Sequence, residues 1–212
     1  MGLRSRQGYG RTGANLGAEA AALQALASVV EAMDSLGIRY RLTGSVASST
    51  HGRPRATNDV DLVADIRQEH VQPLCARLRP AFYAEDELLV EAVRTQSCCN
   101  FIHLASIYKI DVFVRKDTAY DRAAFERFTT KPLEDRPDAR QFPICTIEDT
   151  ILNKLRWHEA GGCVSTSQWS DILGMIALRF DTLDVAYLRT WATDLGLSTL
   201  LDRALQEAAN QR

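Results

Sequence analysis

The sequence predicts a mixed α/β sheet flanked by helices and followed by a C-terminal helical bundle. Up to residue 116, helix-like and strand-like segments follow one another in the order α-β-α-β-α-β-α-β-β, which is typical of an α/β fold. From Thr146 onward the segments have helical periodicity. A third observation concerns function, because residues 41–63, RLTGSVASSTHGRPRATNDVDLV, contain a Gly-Ser pair and two aspartates one residue apart. We therefore expect a sheet that carries a polar site, with helices after it in the chain.

The composition is that of an ordinary globular protein. Of the 212 residues, 46% are apolar and 25% are charged, and the net charge is −2. That charge excludes a globally basic chain, so nucleic-acid contact would need a local patch. No apolar run approaches the roughly 20 residues of a membrane span. The five cysteines form no C-x-x-C pair and are odd in number, so we expect free thiols, a cytoplasmic location and no membrane partner.

Local signals predict each element of the first half. Residues 18–38 have apolar side chains at helical spacing, and Gly37 supplies a stop. A strand at 39–44, a short helix from Gly44 to near Gly52, a loop at 53–58 and a strand at 59–66 follow. Residues 67–79 read as helical, with Pro73 either kinking the helix or falling in its first turns. A strand at 81–84, a helix at 85–96 and a two-stranded hairpin at 99–115 complete this part.

The second half begins with a charged, proline-containing segment. Residues 117–145 are expected to be a connector that wraps the core. Thr146 with Asp149 three residues on resembles a capping box and predicts a helix over 147–160, which Gly161 ends. Further helices fit 167–180, 183–195 and 198–210. The predicted division is a flexible N-terminal arm at 1–17, a core carrying the site at 18–116, the connector at 117–145 and a helical subdomain at 146–212.

Three carboxylates are expected to meet at one edge of the sheet. Side chains two apart on a strand face the same side, so Asp59 and Asp61 point together, and Asp111 lies on another strand. Two carboxylates about 4 Å apart repel by about 1 kcal/mol in water and about 4 kcal/mol at a protein's effective dielectric. A divalent cation removes this conflict, and a small set of hard oxygen ligands favours Mg²⁺. We therefore expect a Mg²⁺ site, with Mn²⁺ as an alternative.

The Gly-Ser pair predicts an anion site beside those carboxylates. Gly44 allows a close backbone approach at a strand-to-helix turn, and the helix N-terminus then offers free N–H groups to an anion. Ser45 adds a hydroxyl donor. A lone Gly-Ser pair is most often only a turn, and a lone D-x-D pair is a weak metal signal. The combination on strands, with a gap of thirteen residues, is what indicates a phosphate and metal site.

Other side chains have a functional and a structural alternative. Lys154 could reach a phosphate as a point charge, or lie solvated on its helix. Arg53 and Arg55 could face phosphate or acceptor, or belong to a solvated loop. Asp171 could anchor Lys154, or simply pair with any nearby base. His103 could lie near Asp111, but a structural role is expected. Trp157, Trp169 and Trp191 are expected to lie in the core rather than to serve as base-stacking platforms.

These motifs resemble those of the nucleotidyltransferase superfamily related to DNA polymerase β. Its signature is a hydrophobic residue, Gly, Gly or Ser, a short gap, and Asp-hydrophobic-Asp/Glu-hydrophobic. Residues 44–45 and 59–62 match this signature, and Asp111 fits the third carboxylate. Residues 44–63, 148–157 and 168–173 are similar to motifs of small bacterial nucleotidyltransferases of the type IV abortive-infection toxin branch. That branch has an arginine where this chain has Ala160 and Gly161.

The resemblance implies a reaction and a role for each matched residue. Asp59 and Asp61 would hold two Mg²⁺ ions, joined by Asp111 on the ion that activates an acceptor hydroxyl. Gly44 and Ser45 would grip the β- and γ-phosphates of a nucleoside triphosphate (NTP). The chemistry implied is attack on the α-phosphorus with release of pyrophosphate. The predicted nucleotide-binding residues are Gly44, Ser45, Arg55 and Lys154.

The predicted activity is a Mg²⁺-dependent nucleotidyltransferase that transfers a nucleoside monophosphate from an NTP to an acceptor hydroxyl. The acceptor is left open among RNA or tRNA, protein and a small molecule such as an antibiotic. A toxin–antitoxin or phage-defence setting, with a cognate toxin or antitoxin as partner, goes with this prediction. The alternatives are a non-catalytic binding or antitoxin-like protein that keeps the fold, and a nucleotide sensor without turnover. Three mutually repelling carboxylates favour the enzyme, because a scaffold has no need of them.

Overall fold

The computed structural model describes residues 13–52 and 59–211 and contains one seven-stranded mixed sheet. Its strand order is β3-β4-β5-β2-β1-β7-β6. The strands are β1 (Tyr40–Leu42), β2 (Asp59–Ala64), β3 (Phe82–Tyr83), β4 (Cys98–His103), β5 (Lys109–Val114), β6 (Phe128–Pro132) and β7 (Gln141–Cys145). With the helices around it, this sheet confirms the predicted α/β class.

The described residues also form helices before, between and after the strands. They are α1 (Gly13–Ser35), α2 (Gly44–His51), α3 (Val71–Leu78), α4 (Asp86–Thr95), α5 (Ala119–Glu126), α6 (Ile147–Ala160), α7 (Thr166–Arg179), α8 (Val185–Asp194) and α9 (Ser198–Ala209). Short 3₁₀ turns lie at Gln68–His70 and Phe180–Thr182. The predicted helices at 147–160, 167–180, 183–195 and 198–210 are thus present to within about two residues.

Local chemistry explains where several helices begin and end. The Thr146 hydroxyl accepts a hydrogen bond from the Asp149 backbone, so the predicted cap of α6 is confirmed. Gly162 after that helix and Gly37 after α1 have φ values of +72° and +69°, as left-handed stops require. Pro73 is the third residue of α3, where its missing N–H breaks no helical hydrogen bond. It therefore lies in the first turn, the second of the two predicted alternatives.

Strand β2 lies in the middle of the sheet and explains why the polar site has a rigid base. It pairs antiparallel with β1 and parallel with β5, and Asp61 is in register with Asp111. Along β2 the side chains of Val60, Leu62 and Ala64 are buried. The alternate residues are only half-buried, which leaves that face of the strand accessible. The period-two alternation predicted for this strand is therefore present.

Two apolar clusters support the sheet and the helices. The first lies between the buried face of the sheet and helices α1, α3 and α4, and it includes Leu62, Ile110 and Leu89. The second is built from α5 to α9 and includes Ile151 and Ile176. The predicted C-terminal helical unit therefore has an apolar core of its own. Burial of apolar surface is the main favourable contribution to folding.

The segment predicted as a connector contains regular structure. It holds α5, β6 and β7, and β7 joins the sheet beside β1 through the pair Leu42 and Ile144. The strands include Pro132 and Pro143, although proline removes a ladder donor. Pro132 is tolerated because it ends β6, which is the edge strand. The division of the chain into domains stays a prediction.

The N-terminal arm predicted at 1–17 lies outside the described residues up to residue 12. From Gly13 onward the backbone is already helical, so α1 begins earlier than the predicted residue 18. No helix among the described residues is long and apolar enough to cross a membrane. The five cysteines are free, as their spacing predicted.

Candidate active site

The carboxylates of Asp61 and Asp111 come from neighbouring parallel strands at the same level of the sheet. Their Cα atoms are register partners, and adjacent strands lie about 4.8 Å apart. Asp59 precedes Asp61 by two residues on the same face. Burial, followed by the charges of Asp59 and Asp111, raises the pKa of Asp61 to about 6. The structure thus brings the three predicted carboxylates to one face, where they repel one another.

Gly44 places the start of α2 directly against the Asp61 carboxylate. Its φ is +57°, and a Cβ built on it would lie 1.8 Å from Asp61 Oδ2, so only glycine fits this position. The backbone N–H of Ser45 hydrogen-bonds to Asp61 and opposes the rise in its pKa. The Thr43 side chain makes no capping hydrogen bond to α2. The start of α2 therefore faces the Asp61 carboxylate, which is the orientation that an anion favours at a helix N-terminus.

Asp111 is held by two neighbours that the sequence analysis did not single out. Lys109 Nζ lies 2.7 Å from Asp111 Oδ2, and this hydrogen bond raises the pKa of the Lys109 ammonium. The Asn100 amide on β4 donates to the other oxygen, Oδ1. Counting back across the predicted hairpin would have placed Asn100 opposite Asp111. Both residues orient the carboxylate.

The donor set of the site is suited to a hard cation. In residues 13–52 and 59–211, no group of three or more His, Cys, Asp or Glu side chains is arranged as a metal site. The oxygen Oδ2 of Asp111 is paired with Lys109. The pKa of the half-buried Asp61 is raised by burial and then by two like charges, and a divalent cation bound to its carboxylate would relieve that repulsion. Carboxylate oxygens are the ligand type that Mg²⁺ prefers, and the assignment of a metal to these residues stays a prediction.

Lys154 brings a positive charge from α6 to the same site. Its side chain is buried, and its Nζ lies 2.9 Å from Asp171 Oδ2 on α7. The charge of Lys154 opposes the rise in the pKa of Asp61, so the ammonium lies within electrostatic range of the carboxylates. Helix α2, which carries Gly44, packs against α6. Lys154 is therefore not a solvated surface lysine, and Asp171 pairs with it, which is the first of the two alternatives given for Asp171.

The remaining candidates divide into three groups. Arg53 and Arg55 lie outside the described residues. His103 is structural, since its Nδ1 lies 2.8 Å from Ser106 Oγ and its ring packs on Phe82. Trp169 and Trp191 are half-buried against the second apolar cluster, as expected for core residues.

Trp157 contradicts the prediction that all three tryptophans lie in the core. Its side chain is 57% exposed, and its ring contacts Phe113 with a centroid distance of 5.9 Å. It lies three residues after Lys154 on α6, and Phe113 lies two residues after Asp111 on β5. The spacing of three residues from Lys154 was the sequence signal for the position of Trp157, because residues three apart on a helix share a face.

Comparisons with known proteins give structural similarity alone. The lincosamide antibiotic adenylyltransferase LnuA, with lincomycin bound, has a TM-score of 0.45 and 16% identity over 72% of this chain and 94% of its own. The antibiotic-resistance factor ANT(2'')-Ia has a TM-score of 0.46 and 12% identity over 91% of this chain and 99% of its own.

An antigenic nucleotidyltransferase-like protein from Paracoccidioides brasiliensis has a TM-score of 0.46 and 17% identity over 86% of this chain and 91% of its own. No family model and no curated protein matches the sequence. These scores are too low to transfer a function, so the function is inferred from the residues of the site. The resemblance to the abortive-infection branch stays a prediction.

Proposed function

We propose that the protein is a Mg²⁺-dependent nucleotidyltransferase that transfers a nucleoside monophosphate from an NTP to an acceptor hydroxyl and releases pyrophosphate. The observation that carries this proposal is the contact between the start of α2 and the Asp61 carboxylate, which only Gly44 allows. An anion-binding helix end and a carboxylate pair in register then lie side by side. A triphosphate bridged to divalent cations needs this combination.

The triphosphate end of the site is formed by α2 and α6. The β- and γ-phosphates would bind at Gly44 and Ser45 through the positive end of α2, the same helix end whose Ser45 N–H donates to Asp61. Lys154, held by Asp171, adds a charge within range of the same phosphates. Arg55 is a further proposed phosphate contact. When bound, Mg²⁺ on Asp59, Asp61 and Asp111 would neutralise phosphate charge and lower the pKa of the acceptor hydroxyl.

The acceptor side is formed by β5 and β4. Strand β1, which leads into α2, lies on one side of β2, and β5 lies on the other. The acceptor hydroxyl therefore approaches over Asp111, on the side opposite the phosphate-binding start of α2. Its oxygen attacks the α-phosphorus, the bond to the bridging oxygen of the β-phosphate breaks, and pyrophosphate leaves. Asn100 and Lys109 keep the Asp111 carboxylate oriented before substrate binds.

The proposed acceptors are RNA or tRNA, a protein hydroxyl and a small molecule such as an antibiotic. A cytoplasmic setting with a cognate toxin or antitoxin protein extends the proposal to phage defence. One test covers all three acceptor classes. The protein is incubated with each α-labelled NTP, Mg²⁺ and either cell extract or an antibiotic panel, and both label transfer and pyrophosphate release are measured.

The expected result is transfer of label from at least one NTP with equal release of pyrophosphate. Chelation of divalent cations should abolish both signals. Asp111→Asn is the matched variant, because it keeps an acceptor for Asn100 and removes one charge. NTP binding without turnover in any mixture would instead support a nucleotide sensor. No NTP binding at all would support the non-catalytic binding protein.

A further inference from the structure

Trp157 is an exposed aromatic ring at the edge of the carboxylate site. More than half of its surface, 57%, is open to solvent, although an indole buries well and the second apolar cluster lies on the same helix. Its ring meets Phe113 at an interplanar angle of 60°, so the tilted Phe113 ring supports it. A large ring that is held on one side and open on the other is suited to stack with a planar partner.

The position of the ring relative to the carboxylates follows from two spacings. Phe113 follows Asp111 by two residues, or about 7 Å along the strand. Trp157 follows Lys154 by three residues, or about 4.5 Å along the helix. The aromatic pair therefore lies next to the carboxylates and to Lys154.

The sheet register gives the direction from Gly44, where the phosphates are proposed to bind, to the Trp157 ring. Strand β1 runs antiparallel to β2, with Leu42 opposite Leu62, so Gly44 lies near the beginning of β2. Phe113 is in register with Val63, near the end of β2. Trp157 is thus on the side of Asp61 that is turned away from Gly44. An NTP whose phosphates reach from Gly44 to the carboxylates extends its nucleoside toward Trp157.

We propose that Trp157, backed by Phe113, is the stacking platform for the nucleobase of the NTP. This inference rests on the proposed function, because it takes the triphosphate position from it. Stacking on an aromatic ring accepts every base, since each has a π-face. The site is therefore tolerant of base identity, and it binds purine triphosphates more tightly than pyrimidine triphosphates because their rings are larger.

The test compares a ligand that has a base with one that has none. Isothermal titration calorimetry with Mg²⁺ measures the affinity of ATP and of inorganic tripolyphosphate for wild type, Trp157→Ala and Trp157→Phe. Leu88→Ala is the matched control. Leu88 is 52% exposed and lies on α4, which packs against the opposite face of the sheet through Leu89. Urea unfolding of each variant checks that it is folded.

We expect Trp157→Ala to bind ATP about 5- to 150-fold more weakly, as measured for loss of one base–aromatic stack. Its affinity for tripolyphosphate should equal that of wild type. Trp157→Phe should retain most of the ATP affinity, and Leu88→Ala should retain all of it.

Three outcomes overturn the proposal. If Trp157→Ala binds ATP as tightly as wild type, the nucleobase does not stack on this ring. The same conclusion holds if only turnover with an acceptor falls. An equal loss of ATP and tripolyphosphate affinity means that Trp157 acts only by supporting Lys154. Failure of wild type to bind either ligand contradicts the proposed function itself, and this result is distinct from the first two.

Discussion

Replacing Asp61 with asparagine should stabilise the metal-free protein, although it should abolish the proposed activity. Asparagine keeps the shape of the side chain and an oxygen that can accept the Ser45 N–H. It removes the charge that burial, Asp59 and Asp111 disfavour. The substitution therefore separates the stability of the fold from the requirements of the site.

The magnitude follows from the pKa of Asp61. A rise from 3.8 to about 6 corresponds to about 3 kcal/mol at about 1.4 kcal/mol per unit. Above about pH 6 the carboxyl is ionised in both folded and unfolded states, so this destabilisation is fully present. Between about pH 6 and pH 4 the folded protein takes up a proton that the unfolded chain does not. The folded state is then relieved of the charge, and the destabilisation disappears.

The assay is urea unfolding in a chelator at pH 7.5 and at pH 4.5, with Asp194→Asn as a control for loss of an exposed aspartate. We expect Asp61→Asn to exceed wild type by up to about 3 kcal/mol in free energy of unfolding at pH 7.5. The difference should be nearly absent at pH 4.5. Saturating Mg²⁺ with ATP should stabilise wild type and leave the variant almost unaffected. Equal stabilities at both pH values would refute the electrostatic argument.

Three further predictions test individual residues. Gly44→Ala should lower the melting temperature more than Gly196→Ala and should weaken Mg²⁺–ATP binding in titration calorimetry. Both glycines have positive φ, but only a side chain at residue 44 would clash with a neighbour. Equal effects of the two substitutions would contradict this prediction. Asp111→Asn should slow pyrophosphate release by about 10²–10³-fold with near-normal NTP affinity, as expected for a group that acts mainly in the transition state, and wild-type turnover would remove it from the site. Lys154→Gln should weaken tripolyphosphate binding at least about tenfold, whereas Asp171→Asn, which leaves the ammonium in place, should weaken it less. Equal affinities in Lys154→Gln and wild type would remove that lysine from the phosphate site.

Features that depend on neighbouring residues could be predicted from the sequence. Asp59 and Asp61 share a face of β2 because side chains alternate along any strand. The start of α6 follows from the Thr146 hydroxyl, and its end from the Gly161–Gly162 pair. The glycine requirement at residue 44 was also visible as a strand-to-helix turn. These rules act within a few residues, so no tertiary contact is needed to apply them.

Features that depend on distant segments were decided only by the tertiary structure. Strands β6 and β7 exist because β1 offers them a free edge, and this outweighs a charged, proline-containing sequence. Asn100 reaches Asp111 because the hairpin register places the two residues opposite each other, whereas the contact with Lys109, two residues earlier on β5, is local. Trp157 is exposed because α6 turns its buried face toward the other helices and leaves this ring at the rim of the site. Periodicity states which residues share a face of a helix or strand, but the packing partner decides which face meets solvent, and that choice depends on contacts far apart in the chain.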